Sequence, residues 1–491
     1  MTLVSPWWLT RANRLSPKAL RPGPVTAIAD AIRSKKVRAH DVVTYSLASL
    51  EASQATLNAC SELDSASALA AAADFDEGRV APGPLAGAPL LIKDIEDWAG
   101  HATRQGSLVT STAPAKSTAP SPSRLIQAGA IAVGKSTLPE FAIEGFTANR
   151  LTGVTRNPWH PAYSPGGSSG GAGAALAAGS VAIATATDGG GSVRIPAALC
   201  GLLGLKPTNG GIGRFPAHDW IDYSTDGVLA TSSDDLRLLY LVQRGPVAGD
   251  PTAPTRAMLD AVQPPAVPSR IVAAYRTSDL GPLAPDVVRA FDDAVAAFAS
   301  VVKQPVTWIE PGTLFGDDDP DLDWFTVATA EHVASLGRAF VDEQFDNFHP
   351  ATQAFFTVGR EITIDTYVAA RRRRFHYVRR IDELLGGDAV LLTPTVASPG
   401  WLADGRLTED SPIAGLPPEV YSTALQNVTG NPALSVPFGY LTNGLPFGLQ
   451  ITAPRYFDAQ LLDLADRWQS IFPWKRSAPG YEALDDALGL Y

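Results

Sequence analysis

At 491 residues, 45% hydrophobic and 18% charged, the chain has globular composition, neither disordered nor fibrous. Its length admits two or three domains, or one large domain built around a single sheet. The formal net charge of −11 argues against nucleic acid or an anionic membrane surface as partner. The two cysteines, Cys60 and Cys200, supply neither a disulfide framework nor a zinc cluster and suit a reducing cytoplasm.

The opening MTLVSPWWLTRANRL has no apolar core of a signal peptide. Residues 1–24, dotted with proline and arginine, read as a surface tail that Trp7 and Trp8 either dock or merely accompany. From Val25 to about Asp76 apolar residues recur at helical spacing (Ile28, Ile32, Val42, Val43, Leu47, Leu50), which predicts two or three helices. A short buried strand follows at residues 88–92, ending at Lys93-Asp94. A serine-, threonine- and proline-rich loop then leads to a helix at 123–128 and a strand at 130–133. The small, alanine-rich stretch 170–178 reads as a tightly packed helix, and the alternating, β-branched 181–187 as a buried strand. The longest apolar run, around Ala172 to Thr187, is broken by glycine and dotted with hydroxyls, which excludes a transmembrane helix.

Residues 216–226, with His218, Trp220 and Tyr223, read as a loop before a helix from Ser233. A proline-rich excursion at 246–268 precedes a strand at 270–275 and an amphipathic helix at 285–302. Residues 324–380 read as mostly helical, and their basic run Arg371 to Arg374 as a solvated face with ion pairs. A strand at 389–393, a strand pair at 433–438 and 446–452, and a helix at 458–471 complete the chain. Strands alternating with helices predict an α/β protein with one large sheet and no internal repeat.

Two motif matches fail on context. Gly129-Ala-Ile-Ala-Val-Gly134-Lys135-Ser136 fits the P-loop pattern, but its centre is an apolar strand rather than a phosphate cradle. Gly167-Ser168-Ser169-Gly170-Gly171 fits the nucleophile elbow, which needs a strand leading into the serine. The preceding prolines 158, 161 and 165 exclude one. None of the seven histidines falls in a triad or metal spacing, and each reads as a surface or packing residue. There remain two glycine-flanked serines, Ser168 and Ser192. The first lies near a helix N-terminus and the second at a strand-to-helix turn after Asp188-Gly189-Gly190-Gly191. Backbone N–H groups at such a turn can face a developing oxyanion. A lysine can serve a serine as base if burial lowers its pKa. Taken alone, Lys93 reads as a solvated charge; its company changes that.

Lys93-Asp94, Pro165-Gly-Gly-Ser-Ser-Gly-Gly171, Asp188-Gly-Gly-Gly-Ser-Val-Arg194 and Cys200-Gly-Leu-Leu-Gly-Leu-Lys-Pro-Thr208 together resemble the amidase signature family. So do Gly134-Lys-Ser-Thr-Leu-Pro-Glu-Phe141, Asn157-Pro-Trp159, Gly430-Asn-Pro-Ala-Leu-Ser-Val-Pro437 and Leu445-Pro-Phe-Gly-Leu-Gln450. The spacing fits too, with 75 residues from Lys93 to Ser168 and 24 from Ser168 to Ser192. The resemblance spans about residues 25–470 and is weakest at 209–225 and 240–385. It implies one large mixed, twisted β-sheet covered by α-helices on both faces, in a single domain over 25–491. Within it, 209–225 would be a variable substrate-shaping loop and 240–385 a largely helical variable region.

The resemblance further implies a Ser-cisSer-Lys triad. Ser192 would be the nucleophile, and Ser168, on a cis Gly167–Ser168 peptide, would relay its proton to neutral Lys93. The N–H groups of Gly189, Gly190, Gly191 and Ser192 would form the oxyanion hole. Asp188 and Arg194 would brace the turn by pairing, with substrate contact by Arg194 as the alternative. No metal and no organic cofactor enter this scheme. Ile143, Glu144, Gly145, Phe146, Ile195, Phe215 and Trp220 are the expected pocket residues. Their apolar character favours a hydrophobic or aryl amide, or a carbamate (urethane) as in the environmental amidases the chain resembles, cut by a cytoplasmic monomer or homodimer. A glutamine-hydrolysing subunit of a tRNA amidotransferase and, more remotely, a P-loop nucleotide-binding protein are the competing readings.

Overall fold

The computed structural model describes residues 22–217, 219–278, 283–310, 312–407 and 422–490. The tail reading at 1–21, including Trp7 and Trp8, and His218 lie outside them. Thirteen strands occur among these residues. They are β1 (Cys60–Leu63), β2 (Pro89–Lys93), β3 (Ile131–Ser136), β4 (Ala148–Asn149), β5 (Gly153–Val154), β6 (Ile183–Asp188) and β7 (Leu203–Lys206). Then come β8 (Thr225–Ala230), β9 (Ile271–Ala273), β10 (Val306–Trp308), β11 (Val390–Pro394), β12 (Ala433–Tyr440) and β13 (Pro446–Thr452). Apart from the β4–β5 hairpin they form one 11-stranded sheet, ordered β1-β3-β2-β6-β8-β7-β12-β13-β11-β9-β10.

The sheet is mixed. β3, β2 and β6 run parallel, as do β11, β9 and β10, while the centre from β6 to β11 is antiparallel. Strand side chains alternate between faces, and the alternation divides the protein into two cores. Leu90, Ile92, Ile183 and Val228 point into one, while Leu91, Ala184, Ala186 and Leu229 point into the other. Helices Ala39–Leu57, Ser65–Asp76 and Gly170–Ala177 cover the second face. Helices Ser233–Gln243, Pro285–Val302 and Asp458–Ile471 cover the first.

Some elements depart from expectation and others meet it. The stretch expected to hold two or three helices holds three, and between the last two lies the strand β1, which hydrogen-bonds antiparallel to β3 at the sheet edge. β7 and β10 are short, and β7 and β8 each carry a glycine, which weakens the strand pattern. The helical region resolves into Pro320–Leu336, Arg338–Gln344, Pro350–Glu361 and Ile364–Leu385. Lys135 does not face a phosphate. It lies inside β3, its ammonium paired with Asp94 at 2.8 Å and donating to the Ala102 carbonyl at 2.9 Å. The basic run is an ion-paired face, with Arg371 and Arg374 on Asp222 and Arg373 on Asp323.

Helix Pro24–Arg33 is tied to the body by one buried carboxylate. Asp235 accepts hydrogen bonds from Val25 N at 3.0 Å, Thr26 N at 3.1 Å and Thr26 Oγ1 at 3.0 Å. Removing it leaves buried donors unpaired, so Asp235→Ala is expected to cost about 1–3 kcal/mol. Urea unfolding measures this, and an unchanged midpoint would show that the tie contributes nothing.

Candidate active site

Lys93 closes β2, and Thr187 and Asp188 close β6. Because the two strands are parallel neighbours, with Leu90 opposite Ile183, their ends meet at one edge of the sheet. That edge, beyond the carboxyl ends of parallel strands, is where an open α/β sheet leaves room for a ligand. Lys93 is fully buried. Its amide N donates to Thr185 Oγ1 at 2.8 Å, fixing the strand end, and its Nζ lies 2.7 Å from Ser168 Oγ and 2.8 Å from Thr187 Oγ1. Burial pulls the ammonium down to about 7, against the carboxyls of Glu96, Asp188 and Asp226, which push it up. A neutral amine is then accessible near neutral pH. A second buried lysine, Lys206, is pulled down to about 7 in the same way. Its Nζ donates to the Pro207 carbonyl and Asn209, so it serves a loop and no serine.

Ser168 follows a cis Gly167–Ser168 peptide and precedes helix Gly170–Ala177. A Cβ on Gly167 would lie 2.5 Å from the Glu144 carbonyl oxygen and 2.6 Å from that of Phe146, so only glycine fits there. Ser192 stands between β6 and helix Arg194–Cys200, and is 8% exposed where Ser168 and Lys93 are at most 1%.

The glycine turn before Ser192 is oriented by its carbonyls. Asp188 O accepts from Asn427 Nδ2 at 2.8 Å, Gly189 O from Trp324 Nε1 at 2.7 Å, and Gly190 O from Thr423 Oγ1 at 2.6 Å. The N–H groups of Gly189, Gly190 and Ser192 find no acceptor among the described residues. Gly191 departs from the expected set of four, because its N–H donates to Asp188 Oδ1 at 2.8 Å and is already used. Arg194 meets Asp188 bidentately, at 2.9 and 2.7 Å, and also donates to Gln426, Gln450 and Asn427. Burial alone would push the Asp188 carboxyl up, but the Arg194 charge and its hydrogen bonds outweigh it and hold it at about 2. With every guanidinium nitrogen engaged and none exposed, Arg194 braces the turn rather than facing substrate.

Ser168, Thr187, Gly189 and Ser192 open on one common pocket. Ile95, Phe141, Ala142 and Trp220 wall it, with Asp219, Ser224 and His332 as its polar members. Of the expected pocket residues, only Trp220 is among them. Ile143 packs into the main core. Phe146 and Ile195 pack with Leu199 and Trp401 in a separate cluster. Glu144 and Gly145 belong to the backbone segment pressed against Gly167, and Phe215 is 55% exposed. Sequence reasoning missed Thr187, Trp324, Thr423, Asn427 and His332. Only Gln450 carried a signal, as the last residue of Leu445-Pro-Phe-Gly-Leu-Gln450.

The family model described as Amidase matches residues 41–462. At 32% identity the chain is similar to a glutamyl-tRNA(Gln) amidotransferase subunit from a Synechococcus species, over 91% of this chain and 95% of the relative. It is equally similar, at 32%, to Putative amidase AmiA2 of Mycobacterium bovis, over 91% and 93% of the two chains. The solved structure of 6-aminohexanoate cyclic dimer hydrolase superposes with a TM-score of 0.80 at 27% identity, over 93% of this chain and 98% of that one. A bacterial aryl acylamidase structure, at 24% identity, shares the fold with a TM-score of 0.81 over 92% and 97%.

Replacing Arg194 by Met leaves a buried carboxylate without its partner, which is expected to cost about 3–5 kcal/mol of stability. Adding Asp188→Asn should recover part of that loss in urea unfolding. Strictly additive losses would contradict the pairing.

Proposed function

The chain belongs to the amidase family and is a hydrolase of C–N bonds, and from that premise we propose that it cleaves small hydrophobic or aryl amides through an acyl-enzyme on Ser192. The observation that carries this reading is the buried Lys93 amine, 2.7 Å from Ser168 Oγ, beside a pocket that also holds Ser192. Ser192 Oγ attacks the acyl carbon while its proton passes to Ser168, whose own proton passes to neutral Lys93. The oxyanion that forms meets the N–H groups of Gly189, Gly190 and Ser192. One such donor is typically worth about 3 kcal/mol in the transition state. Collapse breaks the C–N bond, and the departing nitrogen takes back a proton through Ser168 from Lys93. Water then enters by the same route and releases the acid.

The same machinery suits a carbamate carbonyl, so urethane and ester cleavage belong to the proposal, as does a monomeric or homodimeric cytoplasmic enzyme. Among the described residues no helix is long and apolar enough to cross a membrane. The competing amidotransferase reading rests on the 32% identity to that relative. The pocket counts against it. Glutamine carries an α-carboxylate and an α-ammonium, yet among the described residues that line the pocket the only charged side chain is the carboxylate of Asp219.

Amine release from an aryl amide and its matched aryl carbamate tests the reading. Ser192→Ala is expected to abolish it and Lys93→Ala to slow it by about 10²–10⁴-fold; parent-like turnover in either variant would sink the assignment. Because Lys93 works only when neutral, kcat/KM should fall about tenfold per pH unit below its pKa, which burial sets at about 7, and level off above it. A flat profile through that range would remove Lys93 as the base.

A further inference from the structure

Two buried polar groups of the pocket are unused by the mechanism. His332, on helix Pro320–Leu336, is 2% exposed; neither ring nitrogen makes a hydrogen bond, and Nε2 stands 3.4 Å from Asp219 Oδ2. Trp220 is 7% exposed, and its indole nitrogen also lacks an acceptor. The two rings meet edge to face with centroids 5.7 Å apart, and both line the pocket that holds Ser192. Elsewhere in the site the indole nitrogens are spent on structure: Trp324, which packs against Trp220, gives its N–H to the Gly189 carbonyl. A buried donor left unpaired costs roughly 1–3 kcal/mol, so an acceptor brought by a ligand to this wall would be favoured by the group it pairs.

We propose, resting on the reading of Ser192 as the acylated serine, that Trp220 and His332 form a recognition subsite for a neutral hydrogen-bonding substituent. That substituent, an ether, carbonyl or hydroxyl oxygen, is carried on an otherwise apolar or aryl substrate. The Trp220 N–H can only donate, so the substituent must accept. The imidazole offers one donor or one acceptor according to its tautomer, which admits a hydroxyl as well as an ether. An anionic substituent fits poorly, and a cationic one offers the Trp220 N–H no acceptor. Phe141, Phe355 and Phe356 surround His332 within about 6 Å, and burial lowers its pKa so that the ring stays neutral. The Asp219 carboxylate, 3.4 Å from His332 Nε2, repels an anion. Asp219 is itself held by Ser335, which leaves it part of the wall. The substrate class narrows accordingly, from any small aryl amide to one with a polar oxygen a few ångströms from the scissile carbonyl.

The test uses matched anilides in which methoxy replaces ethyl, or hydroxyl replaces methyl, at the meta or para position or at the end of the acyl chain. Calorimetric binding to Ser192→Ala protein reads recognition without turnover, and amine release by the parent reads catalysis. At one position the oxygen-bearing member should bind roughly three- to tenfold more tightly than its isostere. That ratio should collapse toward one in Trp220→Phe and in His332→Phe, each combined with Ser192→Ala and checked for a cooperative melt. His332→Gln, which restores a donor and an acceptor, should recover part of it and guards against a poorly folded Phe variant. Equal binding at every position, no binding at all, or a ratio that survives both Phe variants would overturn the subsite. In the first and third cases water satisfies the two nitrogens. If the preference holds but the parent releases no amine from any pair, the hydrolytic reading fails while the recognition stands.

Discussion

The desolvation of one ammonium group is the constraint on which the site depends. Holding Lys93 near 7 instead of 10.5 corresponds to about 5 kcal/mol of lost preference for its charged form. The fold sustains that loss by ending two parallel strands side by side and roofing them with helix Gly170–Ala177. Thr185 fixes the backbone of the strand end and Thr187 receives the amine, so the lysine has no route outward to water. Lys206 shows that burial alone is insufficient. It has the same depression but meets a carbonyl and an asparagine, with no hydroxyl to deprotonate.

Opposite the lysine, the glycine turn is positioned by residues far away in the chain. Three successive carbonyls, from Asp188 to Gly190, are each taken by a different side chain, Asn427, Trp324 and Thr423. Fixing the carbonyls on one side leaves N–H groups directed to the other, where an oxyanion would form. Arg194 closes the arrangement by joining Asp188 to Gln426, Asn427 and Gln450, and so links the turn to helix Ala424–Thr429 and to β13. Trp324 has a second task, because its ring packs against Trp220 on the pocket wall. The orientation of the turn and the shape of the pocket are therefore coupled through one helix.

Much of this could be read from the sequence, for a physical reason. Lys93, Ser168, Ser192, Asp188 and Arg194 stand in the short stretches that resemble the amidase signature, and the major strands and helices around them follow ordinary periodicity. What escaped reading was supplied from a distance. Trp324, His332, Thr423 and Asn427 lie 132–235 positions beyond Ser192, within helical or loop segments whose local pattern carries no sign of where they fold. Apolar residues near the motifs misled for the converse reason. Ile143, Phe146 and Ile195 are adjacent in sequence to the serine loops, but adjacency does not say which face a side chain takes, and none of the three lines the cavity. Strands β7 and β8 escaped because glycine dilutes a strand's pattern without preventing its hydrogen bonds.

The most direct test of the account is where the acyl group is held. An activated aryl ester, quenched in acid early in turnover and mapped by peptide mass spectrometry, reports the serine that carries it. The account predicts a single acyl adduct on Ser192, formed faster as pH rises through about 7 and lost in Lys93→Ala. An adduct on Ser168 or Ser169, or one that forms equally well without Lys93, would contradict it.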